Sequence, residues 1–246
     1  MKNYRYTLLI LAFVVMQTVT AQTKNLEPFN SVVISPHISA TFVEGNKESI
    51  TINDIQVSED KVNIEVKGEK LYVYLDDAKN LTKHEKVKKE GVKMKVPIYK
   101  KVVLNVTITY KSLDKMVVKG EQSITCKSKI TTDDFRLTVY GEPELLFEAI
   151  EAEEFITTMH GAGSLKVKKG TTNYQKITAY GEGVFDLSEI DNKESRLVAY
   201  GEAEFYLQSS DRIKITAYGE ASLSYKGDAE VKRGINIGGV DITKVD

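Results

Sequence analysis

The sequence has no tryptophan, one cysteine, four prolines and three histidines in 246 residues. A single cysteine, Cys126, excludes an internal disulfide framework, so folding has to rest on core packing. The histidines, His37, His84 and His160, lack the His/Cys spacing of a zinc site. Charge of one sign is missing too: 34 basic residues stand against 35 acidic ones, which leaves no global field to hold nucleic acid or an anionic surface. Past the N-terminus no apolar run is long enough to cross a bilayer. What the chain has instead is Thr, Val, Ile and Tyr, the residues of short strands. At 41% apolar it can bury a substantial core.

The first 21 residues differ in kind from the rest. Lys2 and Arg5 precede an apolar run from Leu8 to Val15, and Val19-Thr20-Ala21 places small residues at a cleavage position. This order predicts a secretory signal removed before Gln22 rather than a membrane anchor, for which the run is short. No transmembrane span is expected after cleavage. An exported chain without disulfides fits a Gram-negative envelope, in the periplasm or at the cell surface.

The array that follows is repetitive. Tyr140-Gly141-Glu142, Tyr180-Gly181-Glu182, Tyr200-Gly201-Glu202 and Tyr218-Gly219-Glu220 recur, with weaker copies at Lys119-Gly120-Glu121 and His160-Gly161-Ala162. The glycines step by 21, 20, 20, 20 and 18 residues, and a further step of 20 reaches Gly239. Apolar residues lie four before each glycine (Leu137, Ile177, Leu197, Ile215) and two before (Val139, Ala179, Ala199, Ala217), and period 2 means strand. A second inward pair follows the glycine, as in Phe185/Leu187 and Phe205/Leu207, so each coil has at least two strands joined at a glycine corner. A unit of about 20 residues is too short for two helices and a turn, and about half the length of a propeller blade. The expected fold is all-β: a right-handed parallel β-helix, or β-solenoid, with an N-terminal strand extension.

The expected organisation is a signal over 1–21, a short linker over 22–28 and one solenoid domain over 29–246. Val32, Ile34, Ala40 and Phe42 fit inward positions, and Ile52 falls 20 residues after Val32. Val62 to Val66 and Leu71 to Leu75 read as a hairpin around Lys67-Gly68-Glu69-Lys70. Residues 76–91 turn charged and lose periodicity, which predicts a surface insertion with room for a short helical turn before strand resumes at Val92.

Phe29-Asn30-Ser31-Val32-Val33-Ile34, the strand pair from Val57 to Leu75, and Val106-Thr107-Ile108-Thr109-Tyr110 with Leu113 leading into a glycine-punctuated array resemble the putative auto-transporter adhesin family with the head GIN domain. The resemblance spans residues 29–242. It implies a signal-bearing envelope protein of the Bacteroidetes type with a β-helical fold and no established activity. This chain departs from the usual Ser-Gly-Ala-Ser punctuation by placing Tyr before and Glu after the glycine.

Alternation puts the residues between the apolar ones in outward columns. One is basic (Lys115, Arg136, Lys176, Arg196, Lys214), one aromatic (Tyr140, Tyr180, Tyr200, Tyr218) and one acidic (Glu142, Glu182, Glu202, Glu220). A purely structural reading takes these as stacked, soluble sheet surface. The functional reading takes tyrosine faces and flanking carboxylates as a binding platform for an extended glycan or another envelope protein. No EF-hand or Gly-Gly-x-Gly-x-Asp repeat points to calcium, and no motif implies a cofactor. Parallel β-helices include polysaccharide-active enzymes, yet the acidic row is repetitive, whereas catalytic sites form one distinctive cluster. The leading expectation is a non-enzymatic binding or adhesion module; the alternatives are a self-assembling structural component and a glycan-active enzyme. The coil from Phe155 to Tyr174 breaks the columns, with Ile156 among the basic residues, His160 among the tyrosines and Ala162 among the glutamates, and is the expected place for a cover or a homo-oligomeric contact.

Overall fold

The computed structural model describes residues 22–89 and 91–245. The signal sequence expected over 1–21 lies outside them. Nearly all of the chain is strand. The N-terminal part holds β1 (Gln22–Asn25), β2 (Ser31–Ile34), β3 (Ile38–Glu44), β4 (Ser49–Ile55), β5 (Val62–Val66), β6 (Lys70–Leu75), β7 (His84–Lys89), β8 (Val92–Pro97) and β9 (Leu104–Tyr110). The array holds β10 (Lys115–Lys119), β11 (Ile124–Tyr140), β12 (Glu144–His160), β13 (Ser164–Val167), β14 (Gly170–Leu187), β15 (Ile190–Gln208), β16 (Arg212–Lys226) and β17 (Glu230–Lys244). From β10 onward every pairing is parallel, and the coils stack into a β-solenoid of about six turns.

Register follows the sequence repeat. Leu197 pairs with Ile177 on one side and Ile215 on the other, Ala199 with Ala179 and Ala217, and Phe205 with Phe185 and Leu223. All are buried. Because the side-chain period is two, this register sends one apolar set inward on every coil and leaves the residues between them outside. The core is a set of like-on-like stacks, including Phe185 on Phe205 at 5.4 Å between ring centroids and Phe135 on Phe155 at 5.6 Å.

The glycine corner has the geometry its residue type demands. Gly181 and Gly201 have φ of +119° and +124°. A Cβ built on Gly181 would stand 2.7 Å from the carbonyl oxygen of Gly161. Both the backbone conformation and the space exclude a side chain. At the last coil the register is not the one expected: Gly219 pairs with Gly238, and Gly239 sits beside Glu220. The pairing enters this coil at a step of 18, Ile215 opposite Arg233, and a bulge between Ile215 and Ala217 inserts one extra residue of β17, so the corner glycines step by 19 rather than 20.

Each coil has a third side in addition to the two expected. Ile130, Ile150, Gly170 and Ile190 pair in succession, as do Thr132, Ala152, Thr172 and Asn192. Here the apolar interior gives way to a buried polar network. Thr172 Oγ1 donates to Asn192 Oδ1 (2.9 Å), Gln175 Nε2 donates to Thr172 Oγ1 (3.1 Å), and Asn192 Nδ2 donates to Ser195 and Ser209 Oγ (2.9 Å each). Mutual hydrogen bonding offsets the burial of these groups, with Gln175 Oε1 left without a partner.

The N-terminal part does not follow chain order. β2 lies between β6 and β10, and β3 between β9 and β11, all parallel. After β2 and β3 inside the stack, the chain leaves to build the coil below and returns past them. Ile52 does not stack on Val32: β4 runs antiparallel to β9 and places Ile52 opposite Val106. Even spacing along alternating strands produced that coincidence. β5 and β6 form the expected hairpin. Residues 22–28, expected as a linker, begin with β1, which pairs antiparallel with β4. Among the described residues of the charged segment there is no helical turn; β7 and β8 make a separate two-stranded antiparallel sheet, so Val92 to Pro97 belongs to this arm rather than to the solenoid. Among the described residues no helix is long and apolar enough to cross a membrane.

Candidate functional site

The two residues that flank each corner glycine form the most regular outward feature. Tyr180, Tyr200 and Tyr218 are in direct register, as are Glu182, Glu202 and Glu220. Ala179, Ala199 and Ala217 point inward just before the tyrosines, and the glycine turns the chain before the glutamates. His160 joins the aromatic column. The centroid separations run 4.9 Å (Tyr140–His160), 4.7 Å (His160–Tyr180), 4.9 Å (Tyr180–Tyr200) and 5.1 Å (Tyr200–Tyr218), with interplanar angles of 2–5°.

This stack alters what the column can offer a ligand. The rings face one another, so the middle members present edges and hydroxyls to solvent and not the open faces expected for a platform. The four tyrosines of the column are 37–45% exposed, and His160 is half-buried. Glu182, Glu202 and Glu220 are exposed beside them, and Glu142 is exposed at its own corner below Ala162. Glu220 is followed in register by Gly239, where the row ends.

Elsewhere on the solenoid charge is handled in two ways: Lys176, Arg196 and Lys214 form a second like-charge row in direct register, and other charged residues are paired. Coil-to-coil ion pairs join Lys129 to Glu151 (2.7 Å), Lys166 to Asp186 (2.6 Å), Lys168 to Glu148 (2.9 Å) and Arg212 to Glu194 (2.7 Å). Hydrogen bonding and the nearby lysine charge hold the Glu148 carboxyl below its ordinary range. Among the described residues no ion pair involves Glu142, Glu182, Glu202 or Glu220. No group of three or more potential metal ligands is found among the described residues.

The Phe155–Tyr174 coil is less unusual than its composition suggested. Ile156 is half-buried, with Arg136 and Lys176 as its register neighbours, and His160 substitutes for tyrosine without interrupting the stack. Cys126 is buried in the core, where its Sγ donates to the Ser128 carbonyl (3.3 Å) and lies 3.5 Å from the Tyr110 hydroxyl. Burial pushes its thiol pKa up, and burial likewise raises Tyr110 well above the ordinary tyrosine range.

The sequence signature described as "Putative auto-transporter adhesin, head GIN domain" matches residues 28–229. The chain belongs to this family. Solved structures of similar fold include a putative adhesin from Bacteroides fragilis (TM-score 0.73, 16% identity, covering 92% of this chain and 96% of that one). A putative adhesin from Parabacteroides merdae covers the same shares at TM-score 0.62 and 15% identity. A protein from Parabacteroides distasonis described as a putative lipid binding protein has a TM-score of 0.62 at 14% identity, covering 93% of this chain and 98% of that one. At such identities the likeness is one of fold. No curated protein matches the sequence. Within the head GIN domain family, then, the Tyr-Gly-Glu corner is the feature of this chain whose chemistry needs explaining.

Proposed function

We propose that this protein is an exported, non-enzymatic module of the bacterial envelope that binds an extended glycan along the corner formed by its tyrosine and glutamate columns. The carrying observation is the unpaired acidic row. Like charges directly opposite on neighbouring strands destabilise, by about 0.2–1 kcal/mol per pair. The same solenoid places lysine against carboxylate between coils elsewhere and tolerates one other like-charge row, Lys176, Arg196 and Lys214, so what sets the acidic row apart is the stacked tyrosine column beside it. Three carboxylates at strand spacing are a row of acceptors for sugar hydroxyls. The tyrosine hydroxyls beside them both donate and accept.

Family membership and the adhesin names of the structural neighbours support an envelope location, and the charged, apolar and small-residue order of residues 1–21 supports export. The experiment is a glycan array with the chain from Gln22 onward, alongside a Tyr180→Ser, Tyr200→Ser, Tyr218→Ser triple variant held below its melting temperature. The expected result is binding to a subset of extended glycans that the variant loses. Unchanged binding by the variant, or hydrolysis of the captured glycans, contradicts the proposal.

A further inference from the structure

The two ends of the aromatic stack are unlike. Above Tyr218 the next residue in register is Ile237, an aliphatic side chain. At the other end, one face of Tyr140 lies on His160 and the opposite face is turned toward the coil below. The register neighbour there is Lys119, whose Nζ is drawn aside to Asn80 Oδ1 at 2.6 Å. Tyr140 is the most exposed tyrosine of the column, at 45%. It lines a cleft of about 280 Å³ between the lowest glycine corners and the segment leading into the β7–β8 arm.

The walls of this cleft are fixed by hydrogen bonds. The His37 backbone N–H donates to Gln122 Oε1 (2.6 Å), and His37 Nε2 lies 2.6 Å from Thr82 Oγ1. His37 Nδ1 lies 2.9 Å from the Lys101 carbonyl, which ties both ends of the excursion to the corner. With Oε1 engaged, Gln122 has its Nε2 left to donate, and the exposed Glu121 supplies an acceptor. Leu81 on the rim is 83% exposed, the most exposed large apolar side chain in the molecule's described part, and the folded chain gives it no cover.

An aromatic wall, a few fixed polar groups and an apolar lip are what a sugar ring requires: its apolar C–H groups pack on the aromatic side chain and its hydroxyls take the hydrogen bonds. The volume is below the roughly 300–1,000 Å³ of sites for drug-sized ligands, which favours a single ring. We infer that this cleft is a subsite for one pyranose, packed against Tyr140 at the lower end of the aromatic stack. The inference rests on the glycan reading and assigns its anchor: the middle rings meet a ligand by their edges on an open surface, whereas Tyr140 lines a cleft.

The test is saturation-transfer NMR of the chain from Gln22 onward with methyl glucoside, mannoside, galactoside and N-acetylglucosaminide, repeated on Tyr140→Ser, Tyr140→Phe and Tyr206→Ser. At least one pyranoside should bind. Tyr140→Ser should weaken it about tenfold or more, while Tyr140→Phe, which keeps the ring, and Tyr206→Ser, at an exposed tyrosine outside the column, should stay within about twofold of wild type. Melting temperatures show that each variant is folded. Retained binding by Tyr140→Ser overturns the inference, as does equal loss in Tyr206→Ser. If extended glycans bind on an array and no single pyranoside does, the subsite falls while the column reading stands; if neither binds, both fall.

Discussion

Gly201 lies directly above Gly181, and a Cβ added to Gly201 would stand 2.7 Å from the Gly181 carbonyl oxygen. The coils touch here through backbone alone, so the corner tolerates nothing larger. Gly201→Val should therefore destabilise by about 1–3 kcal/mol or more, through its positive φ and the clash together. Gly239 makes the control: nothing lies within 4 Å of a Cβ placed there, and Gly239→Ala should stay within about 0.5 kcal/mol of wild type. Denaturant melts measure both, and those of Gly239→Ala beside Gly238→Ala check the register, because Gly238 has the positive φ and a corner at Gly239 predicts the opposite ranking.

Leu197 is buried between Ile177 and Ile215 in a vertical stack. Leu197→Ala opens a void that neighbours held by parallel hydrogen bonding on both sides cannot close. A loss of about 2–5 kcal/mol is expected in denaturant melts. A loss below about 1 kcal/mol would mean that this position does not point inward.

The Cys126 thiol is shielded by burial, which also raises its pKa and so disfavours the reactive thiolate in the folded protein. Native protein should resist iodoacetamide even at about pH 8.5, near the pKa of a free thiol, and react at once in denaturant. Rapid labelling of the native state, accelerating as pH rises through that range, would place Cys126 at the surface.

The β7–β8 arm forms a sheet of its own, with Lys86 opposite Lys95 and Lys88 opposite Lys93. Nothing in the solenoid's ladder depends on it. Replacing residues 84–97 by a short Gly/Ser loop should leave the melting transition within about 0.5 kcal/mol of the intact chain. A larger loss, seen calorimetrically, would show that the arm packs as part of the core.

The array was legible because a parallel solenoid repeats its constraints. One glycine fixed the corner, alternation fixed what lies inward, and the 20-residue step fixed which residues stack, so the Tyr180–Tyr200–Tyr218 register could be read directly. Three things could not. The return of the chain past β2 and β3 is a long-range pairing, and Val32 carries no mark that Leu71 and Met116 will be its neighbours. The third side was hidden because its interior turns polar: Thr172, Asn192 and Ser209 look like surface residues until their mutual bonds are seen, although Ile130, Ile150 and Ile190 did carry the 20- and 40-residue spacing. The mutual stacking of the tyrosines follows from ring orientation, which a one-dimensional pattern does not contain. Tyr140 therefore could not be told from Tyr200, although only Tyr140 ends the stack above a cleft.

If the acidic row is kept for binding at some expense in stability, one change should move stability and affinity in opposite directions. A Glu182→Gln, Glu202→Gln, Glu220→Gln triple variant, measured at low salt where surface charge is least screened, removes two like-charge contacts and three strong acceptors together. The expected result is a melting temperature a few degrees higher, for a gain of about 1 kcal/mol, with glycan affinity reduced about tenfold or more. A variant that melts no higher and binds the same glycans as well as wild type would contradict a binding role for the row.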